Sequence, residues 1–162
     1  MKLLILLLLL STFYGCSNQD KKIENLQIRV DSLESKLAAT YNQGLGDFMI
    51  SIQAHHIKLW FAGKNKNWKL ADYLLDKIIA TVEDIRVYAV EQKESRMIGT
   101  ITPALESLSA AIKQEDSDLF RKGFTTLTTA CNQCHRAANK EFNVIKIPDE
   151  NIFHNQEFNP FK

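Results

Sequence analysis

Apolar residues recur along the chain at steps of three and four, and no segment alternates with a period of two, so the pattern predicts helices and no strands. The first apolar stretch, Leu3 to Leu10, is an unbroken run behind the basic residue Lys2. Next, Ile23, Leu26, Val30, Leu33 and Leu37 form a heptad seam of little more than two repeats, with charged residues on the other faces. Gly44 and Gly46 interrupt it, and four amphipathic segments follow. The first is expected from Leu45 to Ala62, stopping at Gly63. The second opens at Asn67 as cap and runs to about Gln92, with Ala71, Leu75, Ile78, Val82, Ile85 and Ala89 on its apolar face. Thr102 as N-cap and Pro103 in the first turn start the third, which buries Leu105, Leu108 and Ile112. The fourth begins near Asp116 and carries Phe120, Phe124, Leu127, Cys131, Cys134 and Ala138 on one stripe.

Short connections between such helices predict an all-α, antiparallel four-helix bundle with an N-terminal helical stalk and an extended C-terminal tail. The tail holds Phe142, Val144, Ile145, Ile147, Phe153, Phe158 and Phe161, and is expected to pack back over the bundle because free aromatic rings would lie in water.

The leading apolar run is too short to span a bilayer and fits the core of a secretory signal peptide over residues 1–15. Phe13-Tyr14-Gly15-Cys16 resembles a bacterial lipobox, which makes Cys16 the expected lipidation site; the alternative is an ordinary leader followed by an unmodified cysteine. Export and anchoring at a bacterial membrane, on its periplasmic or cell-surface face, follow from that expectation. Residues 16–43 then form a tether and stalk, which spaces the domain from the membrane, brings chains together as a homo-oligomer, or lies against its own bundle. Residues 44–162 form the domain. Without Lys2 the chain carries 19 basic and 19 acidic side chains, a balance that points away from nucleic acid.

Of the three cysteines, Cys131 and Cys134 remain once Cys16 is lipidated. Cys131-Asn132-Gln133-Cys134-His135 is the C-x-x-C-H attachment signature of a c-type haem. On a helix, residues i, i+3 and i+4 share a face, so two thiols reach the vinyl groups of one porphyrin edge and the imidazole reaches the iron. A dithiol redox motif belongs at a helix start in an α/β fold, a zinc site needs further ligands, and an i, i+3 disulfide within a helix is strained. At this motif the chain resembles the class II c-type cytochromes, the cytochrome c-prime group, over roughly Leu45 to Lys140. The resemblance implies an antiparallel bundle with thioether bonds at Cys131 and Cys134 and His135 as axial iron ligand. Ala138 and Asn139 depart from the aromatic and basic residues that family often has there.

The resemblance also implies that the first helix covers the opposite face of the iron, where Met49, His55 and His56 are the candidates. Met49, Gln53, His56 and Trp60 share one helical face. The expected function is one-electron transfer by a mono-haem c-type cytochrome rather than enzymatic turnover, with an unidentified redox partner protein. The alternatives are a five-coordinate haem protein that binds or senses NO or CO, and a non-haem structural lipoprotein acting through its heptad seam.

Overall fold

The computed structural model describes residues 19–37, 44–89 and 93–161. The expected signal peptide and Cys16 lie outside the described residues. All regular structure is helical, with no strand among the described residues, and none of the described helices is long and apolar enough to cross a membrane. The chain divides into two compact units, Met1–Asn42 and Gln43–Lys162. The first contains helix α1, described over residues 19–37, whose seam residues Ile23, Leu26, Val30, Leu33 and Leu37 are all exposed.

The second unit contains α2 (Leu45–Lys64), α3 (Trp68–Tyr88), a 3₁₀ segment (Lys93–Ile101), α4 (Thr102–Lys113) and α5 (Ser117–Ala137). Local chemistry accounts for most of the helix starts. The Asp47 carboxylate accepts from the Gly44 amide at 3.2 Å and so anchors α2. Asn67 caps α3 by accepting from Leu70 N at 3.2 Å. Asp116 caps α5 by accepting from the amides of Asp118 and Leu119 at 2.8 and 2.9 Å.

Three starts and stops differ from the expectations. Helix α3 ends at Tyr88, with Ala89 as its C-cap, rather than near Gln92. Thr102 is the first residue of α4 rather than its cap; its hydroxyl instead accepts from Arg86 at 3.0 Å, and the 3₁₀ segment runs straight into the helix. Gly63 does not end α2, which continues to Lys64. It is a packing residue: a Cβ there would land inside the ring of Phe120. The missing side chain of Gly63 is therefore the space that Phe120 fills.

Helix α2 packs along α3 and α4 along α5, with α3 touching α4 and the 3₁₀ segment bracing both α3 and α5. The expected apolar faces of the second and third segments are buried, with Ala71, Leu75, Ile78, Val82, Ile85 and Ala89 on the one and Leu105, Leu108 and Ile112 on the other; on the fourth Phe120, Phe124 and Leu127 are buried, while Cys131, Cys134 and Ala138 are half-buried. Leu74 joins them. At one end the core is aromatic, with Phe120 ringed by Trp60, Trp68 and Phe124 at centroid distances of 5.9 to 6.2 Å.

The tail packs back only in part. Phe158 is buried against Phe61, Phe153 lies under the Lys58 ammonium, and Asn67 donates to Asn159 O at 3.1 Å. Ile147 is also half-buried against the core, whereas Phe142, Val144 and Phe161 remain exposed.

Candidate functional site

A cavity of about 550 Å³ opens between the N-terminal half of α2 and the C-terminal end of α5. One wall is the α2 face bearing Leu45, Met49, Ile52, Gln53 and His56. Facing it, α5 presents Cys131, Cys134 and His135. Ile98 and Ile101 of the 3₁₀ segment close one side, and Ala138, Lys140, Asn143 and Ile145 of the tail form another. The lining is mainly apolar, with few polar groups, as in pockets that hold organic cofactors. A second cavity of about 440 Å³, between α3 and the 3₁₀ segment, contains none of the sequence-predicted site residues.

The two thiols lie in the cavity wall as free cysteines. Burial, reinforced by the neighbouring Cys134, pushes the Cys131 thiol up to about 11, and burial also raises Cys134. Both sulfurs are therefore protonated at neutral pH, unlike the activated thiolate of a redox dithiol. Cys134 sits against the 3₁₀ segment, its Sγ 3.9 Å from Met97 O. Among the described residues, no three His, Cys, Asp or Glu side chains are grouped to hold a metal ion by themselves.

His135 is held in one tautomer. Its Nδ1 lies 2.6 Å from the Asn143 carbonyl, which can only accept, so Nδ1 is the donor and Nε2 is the nitrogen left to meet a metal. Metal-ligating histidines are commonly oriented by this kind of bond. The Asn143 carbonyl is itself held in place from within the motif. Asn132 donates to Ile145 O at 2.7 Å and accepts from Ile145 N at 2.8 Å, pinning the tail beside the last turn of α5. Neither Asn132 nor Asn143 was identifiable from spacing: the Asn132 side chain binds the Ile145 backbone 13 residues on, and Asn143 acts through its own backbone carbonyl on the His135 ring 8 residues back.

On the opposite wall, Met49 and His56 line the cavity and His55 does not. His55 Nδ1 donates to Ser51 O at 2.8 Å within its own helix. His56 is buried, its ring tilted against Phe124 at a centroid distance of 4.4 Å, with its Nε2 2.9 Å from the Thr128 hydroxyl. That hydroxyl donates to Phe124 O, so His56 Nε2–H is the donor to it. Desolvation holds His56 down at about 4, and it is neutral at physiological pH. Of the three candidates, Met49 is the one that lines the cavity without a competing hydrogen bond. In comparisons with protein-family models, curated proteins and solved structures, the chain matches none.

Proposed function

We propose that the chain is an exported, lipid-anchored c-type cytochrome. In this reading α2 to α5 form an antiparallel four-helix bundle around one haem, attached through Cys131 and Cys134 and ligated by His135. The observation that carries it is the shared wall: both thiols and an imidazole with an available Nε2 border one largely apolar cavity of about 550 Å³. The haem supplies a one-electron couple when bound. The chain's own residues bind it and keep its surroundings dry and fixed. Ile52, Ile98 and Ile101 exclude water, the Asn143 carbonyl fixes the imidazole plane of His135, and Lys140 at the rim offers a cation to acidic groups. Met49 faces the cavity from α2 and is the proposed sixth ligand, a choice that raises the potential of a carrier. Lipid on Cys16 would hold the domain at the outer side of a bacterial membrane, where a redox partner protein is met.

A second reading has one observation in its favour. His55 does not line the cavity, and the Nε2–H of the buried His56 is engaged with Thr128, so if the Met49 sulfur does not bind iron the site is five-coordinate and open to NO or CO. One experiment addresses both. The protein is purified from a host competent in c-type maturation, and its spectra are taken oxidised, reduced, and reduced with CO. A thioether-type pyridine haemochrome that is lost in Cys131→Ala/Cys134→Ala supports the attachment. Slow or incomplete CO binding that becomes fast in Met49→Ala supports the carrier. Fast, complete CO binding by the unaltered protein favours the gas-binding site, and a haem-free protein overturns both.

A further inference from the structure

The haem reading leaves one patterned surface unused, the seam of α1. We propose that α1 is the docking surface for α1 of a second copy of this chain, in a parallel, in-register, two-stranded coiled coil. With Ile23 at heptad position a, the described helix places Ile23, Val30 and Leu37 at a, and Leu26 and Leu33 at d. All five are exposed in a helix that buries no apolar face of its own. β-branched residues at the first two a positions and leucine at both d positions are the combination that favours two parallel strands over three or four.

Charge complementarity selects the orientation. Positions g and e flank the seam, and in a parallel pair the g residue of one chain meets the e residue five positions on in the other. Here that sets Arg29 against Glu34 of the second copy, twice by symmetry, with Lys22 meeting the neutral Gln27. An antiparallel pair instead sets g against g and gathers the basic Lys22, Arg29 and Lys36 of both chains on one another. Two heptads form a weak coiled coil in dilute solution, since a helix of this length is marginal alone. Confinement of both chains to one membrane would raise their effective concentration and favour the pair. The proposal concerns α1 alone and does not depend on what the cavity binds.

The test uses the full chain in an exporting bacterium, with Ile23→Cys or Leu37→Cys, treated with a thiol oxidant and compared with the unaltered chain for its background. Each single variant is expected to give a covalent dimer above that background, because only a parallel, in-register pair brings position 23 to 23 and 37 to 37. Adding Arg29→Glu, which turns both cross-strand pairs repulsive, is expected to lower dimer yield about fivefold. Arg29→Glu/Glu34→Arg is expected to restore it. These exposed changes on α1 leave the domain's fold intact, which circular dichroism checks. Background-level dimer in both cysteine variants overturns the proposal. So does dimer that forms only between co-expressed Ile23→Cys and Leu37→Cys chains, or a yield indifferent to the charge exchange.

Discussion

The buried His56 ties one side chain to a measurable property of the whole fold. Burial lowers its proton affinity from the ordinary 6.5 to about 4. Between those two values the unfolded chain takes up a proton at this position and the folded chain does not, so stability is lost as pH falls through that window. The full effect is about 3 kcal/mol at most. His56→Phe keeps a ring against Phe124 and leaves the Thr128 hydroxyl bonded to Phe124 O. Urea unfolding at pH 7 and pH 4.5 should therefore show a smaller loss on acidification in the variant than in the parent; equal losses would mean that His56 is not the buried titrating group. Gly63→Ala makes the second residue-scale test. Its new methyl must displace Phe120, which is fully buried among Trp60, Trp68 and Phe124, and the expected cost is about 1–3 kcal/mol in thermal or urea unfolding. An unchanged midpoint would show that the ring can move aside. That Cys131, Cys134 and His135 share one wall was legible from their i, i+3, i+4 spacing on a helix. The role of Gly63 was not: in sequence a glycine at a helix end reads as a stop, and only the ring across the interface makes it a packing residue.

At the scale of elements, the apolar faces of α3, α4 and α5 were legible, since a period of 3.6 leaves one stripe to bury and that stripe is buried. The caps Asn67 and Asp116 were legible for the same local reason. The 3₁₀ segment Lys93–Ile101 was not, because it is only nine residues long and is held by contacts to α3 and α5. It nonetheless forms one side of the cavity. The tail was half legible: its rings called for burial, but which of them obtain it depends on where the chain is pinned. That pin is Asn132. Asn132→Ala removes both bonds to the Ile145 backbone, leaving a half-buried amide and carbonyl without partners at a local cost of about 1–3 kcal/mol. Amide exchange at Ile145 and proteolysis over residues 139–147 should both accelerate, with a smaller fall in global stability than Leu108→Ala, which empties a fully buried site. If the proposed haem is attached, the same change should shift its reduction potential, because it loosens the carbonyl that holds His135. A tail that exchanges at the parent rate would show that Asn132 is not the pin.

Across the whole domain, packing is asymmetric. One end is closed by Phe120, Trp60, Trp68 and the Phe61–Phe158 contact; the other is built around an apolar cavity of about 550 Å³. Apolar walls draw dispersion contacts and hydrophobic burial from whatever they enclose, so the stability of the cavity end depends on its occupant more than that of the aromatic end does. If the occupant is haem held through Cys131 and Cys134, its attachment should stabilise the two ends unequally. Cys131→Ser/Cys134→Ser, or the unaltered chain made without a maturation system, is then expected to stay helical but melt about 10 °C or more below the haem-loaded protein. Hydrogen exchange should localise the difference. Amides of the first half of α2, the last turns of α5 and residues 138–145 should lose protection, while those around Phe120 and Trp68 should keep most of theirs. The cavity draws its walls from α2, the 3₁₀ segment, α5 and the tail, so a filled cavity couples all four. Equal melting temperatures with and without the attached group, or protection lost evenly over the domain, would show that the cavity is not where the chain's covalent partner sits.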